Sequence, residues 1–212
     1  MSEGKGPRYA HAEVAHVAAH FDRLVERYGN THQALDYGSR KSQRIRFDVL
    51  ASGLTLADRR VLDVGCGMAD LKSYLDERGI ACTYSGVDAS SRMIAEARKR
   101  HAHTEFSAGD FLAPEMGAPC DVAVANGIFY LLGERAEELQ REIIERMWSL
   151  ADEAVAFSSL SSWAPERSEG EYHSDPSVVL RFCRKLTPWV RLRHDYLPHD
   201  FTIFMYKRAM DA

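Results

Sequence analysis

The sequence predicts an α/β protein: a mostly parallel sheet with helices on both faces, a helical segment ahead of it and an antiparallel hairpin at its end. Three observations predict this. Short apolar runs rich in β-branched and aromatic residues alternate with helical stretches between about residues 58 and 160, the pattern of right-handed crossovers. Two strand-like runs near the C-terminus are separated only by Pro198-His199-Asp200, a hairpin link. Apolar residues before residue 55 recur at helical spacing.

Each element has a local reason. Val14, Val17, Ala18, Phe21, Leu24, Val25 and Tyr28 make one helical stripe, stopped by Gly29-Asn30. Thr31 to Gly38 reads as a loop. A second helix starts near Ser39, turns Ile45, Val49 and Leu50 inward and stops at Gly53. Strands follow at Val61–Val64, Tyr84–Val87, Glu105–Ala108, Val122–Ala125 and Ala154–Phe157. Helices fall between them at Ala69–Arg78, Ser90–Arg100 and Glu134–Leu150. Gly79 ends the first of these, Ser90 caps the second, and Lys99 and Arg100 suit its negative dipole end. Ser158 to His173 is a polar loop. Asp175-Pro176 caps and opens a helix to about Lys185, and strands run Val190–Leu197 and Phe201–Lys207. The division expected is a helical appendage or lid at 1–55 and a ligand-binding domain at 56–212.

The 212 residues are 45% hydrophobic and 27% charged, which excludes a disordered or fibrous chain. Lys plus Arg total 27 against 31 Asp plus Glu, a net charge of −4 that argues against a general phosphate-backbone binder. Cys66, Cys82, Cys120 and Cys183 form no C-x-x-C pair and read as reduced thiols. No apolar run approaches the ~18 residues of a membrane span, and the N-terminus lacks a signal-peptide core. A cytoplasmic location is the expectation.

Four motifs carry chemistry. In Val61-Leu-Asp63-Val-Gly65-Cys66-Gly67-Met-Ala69-Asp70 a strand runs through a glycine turn into a helix, so the backbone can approach a ligand and the helix points free N–H groups at it. Gly86-Val-Asp88-Ala89-Ser90 places a carboxylate at the end of the second strand, where it can accept both hydroxyl hydrogens of a ribose. Gly109-Asp110-Phe111 offers an acceptor for an exocyclic amine and a ring to cover a base. Asp121 to Tyr130 ends the fourth strand with Asn126 and Gly127. A dinucleotide site usually carries a third glycine where Asp70 stands. A carboxylate there and another at Asp63 favour a ligand bearing an ammonium and a sulfonium over a pyrophosphate.

In order and spacing these motifs resemble those of the class I S-adenosylmethionine-dependent methyltransferases, over about residues 58–160. The resemblance implies a three-layer Rossmann-like sandwich with a seven-stranded sheet. It also implies S-adenosylmethionine as donor, S-adenosylhomocysteine as product and direct displacement at the sulfonium methyl. Carried over, Gly65 and Gly67 line the methionine part, Asp88 holds the ribose, and Asp110 with Phe111 holds adenine, with Asp63, Cys66 and Ala89 as further cofactor-binding residues. Asn126, through its backbone, and Gly127 lie near the donor's ammonium. Ala69 departs from the third glycine that many members carry.

Residues 28–46 read as a lid. Tyr37, Gln43 and Arg46 are its polar groups, and Arg46 either grips the donor's carboxylate or belongs to a solvated face with Arg40, Lys41 and Arg44. Tyr130, Tyr172 and His173 are the candidate catalytic residues, since ligands of such sheets sit at the carboxyl ends of the strands. His16 and His20, four apart, lack a third ligand and are read as surface residues, with no metal site expected. His101 and His103 suit a helix end. His194 and Tyr196 alternate with Asp195, so no His–Asp pair arises. The expected partner is a small molecule rather than nucleic acid or a membrane, with a homodimer left open. The alternatives are an NAD(P)-dependent oxidoreductase, which Asp70 opposes, a non-catalytic donor-binding module, and other chemistry on the same donor.

Overall fold

The computed structural model describes residues 9–36 and 38–209. Seven strands form one sheet: β1 (Arg60–Val64), β2 (Thr83–Asp88), β3 (Glu105–Ala108), β4 (Cys120–Asn126), β5 (Ala151–Leu160), β6 (Val190–Leu197) and β7 (Asp200–Tyr206), in the order β3-β2-β1-β4-β5-β7-β6. β1 to β5 are parallel, and β7 runs antiparallel to both β5 and β6. The helices are α1 (Ala12–Tyr28), α2 (Arg40–Gly53), α3 (Asp70–Glu77), α4 (Ser91–Arg100), α5 (Ala136–Leu150) and α6 (Pro176–Leu186). This is the mostly parallel sheet with helices on both faces that the alternation predicts, and the three-layer Rossmann-like sandwich that the resemblance implies.

Alternation of side chains along the strands divides the core. Leu62, Val64, Ala123, Ala125, Val155 and Phe157 face α5 and α6, meeting Leu139, Ile144, Met147, Val179 and Cys183. Val61, Val122 and Val124 face the other way, onto Leu71, Tyr74 and Leu75 of α3, Ile94 and Ala97 of α4, and Phe47 of α2. α2 also sends Val49 and Leu50 onto Ala154, Ala156, Phe204 and Tyr206. It therefore packs into a layer of the sandwich, while α1 and its short 3-10 turn (His32–Leu35) lie over α4.

The capping reading holds in detail. Ser39 Oγ accepts the Ser42 N–H at 3.1 Å, Ser90 Oγ accepts that of Met93 at 3.0 Å, and Asp175 accepts those of Ser177 and Val178. Two stretches differ from expectation. β5 is ten residues long rather than four, because β7 pairs with it as far as Leu160↔Asp200. The helix expected from Glu134 begins as a 3-10 turn at Gly133–Arg135 and becomes α-helical at Ala136.

Register places the site. Val64 pairs with Val87 on one side and with Ala125 on the other. The glycine turn after β1 thus emerges level with Asp88, Asn126 and Ser158, at the point where strand order reverses between β1 and β4. No described helix is long and apolar enough to cross a membrane.

Candidate active site

A cavity of about 660 Å³ opens along this carboxyl edge. Its floor is the glycine turn, Asp88 and Asp110. Val14, Val17 and Phe21 of α1 roof it together with Leu35, Asp36 and the first turns of α2. That volume lies within the range of small-molecule and cofactor sites.

The turn after β1 is held by its own backbone. The N–H groups of Gly65 and Cys66 both reach the Val87 carbonyl, at 2.7 and 3.1 Å. Gly65 has φ +71°, and a Cβ there would overlap Ile128, so only glycine leaves the main chain open to the cavity. Ala69, where the resemblance expects glycine, sits at φ +61° and carries the left-handed strain of about 1 kcal/mol.

Asp88 is aimed by two amides. Its Oδ2 accepts the Gly67 N–H and its Oδ1 that of Ser90, both at 2.8 Å. Each oxygen keeps a second lone pair. Burial pushes its pKa up to about 6, against the pull of those two N–H groups. Asp63 is buried beneath the turn and takes the Tyr84 hydroxyl, and burial raises it to about 7. Burial likewise pushes the Cys66 thiol up. A cation or a pair of hydroxyl donors entering the cavity would favour the ionised carboxylates.

Asp70 requires a correction. Its carboxylate is ion-paired with Arg100 and accepts the Gln43 side-chain amide at 2.9 Å. The repulsion toward phosphate expected of it is largely cancelled at source, and the negative character of the floor rests on Asp63, Asp88 and Asp110.

Asp110 is buried and already engaged. Its Oδ2 accepts the backbone N–H groups of Ala10 and His11 at 3.1 Å each, with His11 Nδ1 at 2.8 Å, while Oδ1 accepts the Leu112 N–H. Tyr9 donates its hydroxyl to the Ala89 carbonyl at 2.8 Å. The segment ahead of α1 is thus strapped across the sheet edge at Ala89 and Asp110. Phe111 lines the cavity and has the Arg146 guanidinium 5.4 Å from its ring centre.

At the end of β4, Ser158 donates to Asn126 Oδ1 at 2.6 Å and accepts the Gly127 N–H at 3.1 Å, which fixes that turn. Tyr130 donates to Asp36 at 2.8 Å, so the roof is latched to the loop after β4. His20 Nε2 stands 3.7 Å from the same carboxylate, on the roof rather than in a metal cluster. Arg46 is not on a solvated face: it is buried, lines the cavity, and gives Nε to Asp200 Oδ2 at 2.8 Å, beside His199. Tyr37 lies outside the described residues.

Tyr172 and His173 line a separate cavity of about 360 Å³, bounded by α5 and α6. The Tyr172 N–H is bonded to the Tyr130 carbonyl and its hydroxyl reaches Gln140, so these bonds turn the side chain away from the glycine turn. His173 Nδ1 contacts the Ser161 carbonyl at 3.2 Å, and its Nε2 lies 3.5 Å from Glu171. Glu171, which does line the main cavity, was not singled out from sequence. Neither were Tyr9, His11, Asp36, Ser158, His199 and Asp200. Only the turn residues His199 and Asp200 had a local signal, and it spoke of a hairpin.

Comparison with known proteins agrees with this geometry. The family model described as a methyltransferase domain matches residues 61–148. The Mycobacterium tuberculosis protein Rv1506c, whose name assigns it as a methyltransferase, is 30% identical over 69% of this chain and 92% of its own length. A trans-aconitate 2-methyltransferase of Mycobacterium sp. (strain KMS) is 29% identical over 70% of the chain, which spans about half (53%) of that relative. Among solved structures, magnesium protoporphyrin IX methyltransferase from Synechocystis PCC 6803 with bound S-adenosylhomocysteine superposes with TM-score 0.65 at 16% identity, over 92% of this chain and 100% of that one. The DhpI complex with S-adenosylhomocysteine gives 0.67 at 14% identity, over 91% and 96%. With a glycine turn too tight for a side chain, a ribose-competent carboxylate level with it, and these relatives, the chain belongs to the class I S-adenosylmethionine-dependent methyltransferases.

Proposed function

We propose that the cavity is shared by the donor and a small organic acceptor, the donor lying from Asp110 to the glycine turn and the acceptor entering between Tyr130, the roof and the 161–173 loop. The observation that supports this reading is the single continuous cavity: Asp88, Gly65, Asn126, Tyr130, Glu171 and His199 all line it. S-adenosylmethionine supplies a methyl group on a sulfonium, which already has a good leaving group.

The residues then have little covalent work and much alignment to do. Asp88, preset by two backbone N–H groups, receives the ribose hydroxyls. The carboxylates of the floor offset positive charge. Arg46 keeps its guanidinium fixed through Asp200, and that planar fork suits the donor's carboxylate. α1 and the strap at Tyr9–His11 exclude water from above. Tyr130, held by Asp36, borders the acceptor's path.

The acceptor's size is tested by incubating the protein with methyl-labelled donor and a cell extract. Label should collect in the low-molecular-weight fraction. Label in protein or nucleic acid would refute the small-acceptor assignment. The trans-aconitate methyltransferases among the relatives point to a carboxylate as acceptor, but the charge of the cavity mouth runs the other way.

A further inference from the structure

With the donor placed as proposed, a placement on which the acceptor's assignment rests, the remaining half of the cavity carries a sign of charge. Asp36 and Glu171 line it from opposite loops, one in the roof and one on the 161–173 segment. Of that segment only Ser168 and Glu171 line the cavity, so Glu171 is its one charged contribution. The basic groups lining the same space are Arg46, ion-paired with buried Asp200, and His199, which burial and the Arg46 charge push toward the neutral form. Arg40 and Lys41 of α2 are not among the lining residues. Phe21, Leu35, Ile128 and Leu160 make the remaining wall apolar.

A second observation is independent of that charge count. The His173 side chain is only 7% exposed, and its Nδ1 faces the Ser161 carbonyl, which can only accept, so Nδ1 carries the hydrogen. In the neutral ring Nε2 is then a lone pair, 3.5 Å from the Glu171 carboxylate and without a hydrogen-bond partner among the described residues. Two acceptors face one another, and a proton placed on either satisfies both.

We propose that the acceptor is an amine on an apolar body, that Asp36 and Glu171 select it as its ammonium, and that Glu171 with His173 receives its proton. The ammonium gives one proton to the Glu171 carboxylate. The carboxyl so formed donates to His173 Nε2. The freed nitrogen pair forms the N–CH3 bond as the S–CH3 bond breaks, and sulfur keeps that bonding pair. One carboxylate and one sulfonium are neutralised together, so net charge is conserved.

The test is calorimetry on protein loaded with S-adenosylhomocysteine, using one skeleton in three forms: 3-phenylpropylamine, 3-phenylpropan-1-ol and 3-phenylpropionate. The amine should bind about fivefold or more tighter than the acid, and added salt should compress the difference. Glu171→Gln and Asp36→Asn should each cut the amine's advantage about threefold, as expected for half-exposed ion pairs. Both positions are partly exposed, so the variants should fold, and circular dichroism checks this. Equal or tighter binding of the acid or of trans-aconitate, failure of all three probes to bind, or an advantage untouched in both variants overturns the proposal. Failure of S-adenosylhomocysteine itself to bind would instead refute the donor reading beneath it.

Discussion

Asp63, one residue before the end of β1, and Asp88, the last of β2, lie on neighbouring strands, and burial raises both, to about 7 and about 6. Against an unfolded value near ~3.9, the folded, unliganded protein holds these protons more tightly than the unfolded chain. Its stability therefore falls as pH rises from about 4 to about 7. With Asp88 as the proposed ribose carboxylate, donor binding works in the opposite sense, because a carboxylate accepts hydroxyl hydrogens best when ionised. Affinity for S-adenosylhomocysteine should rise roughly tenfold between pH 5 and 7.5, with proton release, as read by calorimetry in a pH series. Asp88→Asn should flatten that profile, and an unchanged slope would contradict the assignment. Asp88→Ala should cost about 2 kcal/mol of donor affinity, roughly 30-fold. The open turn at Gly65 and the exposed-to-cavity carboxylate at Asp88 are legible in sequence because each rests on short-range geometry, and the roles proposed for them build on that. That of Asp70 is not, since Arg100, which offsets its charge, comes from another helix.

At the scale of elements, the sequence shows where α2 begins and ends, since Ser39 caps it and Gly53 stops it. It does not show that Arg46 of α2 pairs with Asp200, 154 residues away at the start of β7. That buried pair ties α2 to the terminal hairpin. Arg46→Ala should destabilise the fold by about 3 kcal/mol, because Asp200, already pushed up by burial, is left without its cation. Urea unfolding midpoints measure this; a shift close to zero would mean that the pair contributes nothing net. The strap ahead of α1 is a second device hidden from pattern reading, since Tyr9 and His11 meet their partners 80 and 99 residues on. His11→Ala should speed release of S-adenosylhomocysteine several-fold in stopped-flow chase experiments, with the helical content unchanged.

Across the whole molecule, the parallel sheet and its layers follow from the alternation of elements, and the antiparallel edge from the short link at residues 198–200. Tertiary contacts decide the rest. Tyr172 and His173 close a polar loop after β5 as the sequence suggests, yet hydrogen bonds to Tyr130, Gln140 and Ser161 direct them to the smaller cavity. Their neighbour Glu171 is the loop residue that reaches the main one. The cavity is lined by more carboxylates than basic groups, and this excess is a property of the assembled fold rather than of any one motif. The most direct measurement is parallel calorimetric titration of the purified protein with S-adenosylhomocysteine and with NADH. Saturable one-to-one binding of the sulfur nucleoside and none of the dinucleotide is the predicted result. Tight binding of NADH with no heat from S-adenosylhomocysteine would contradict the account.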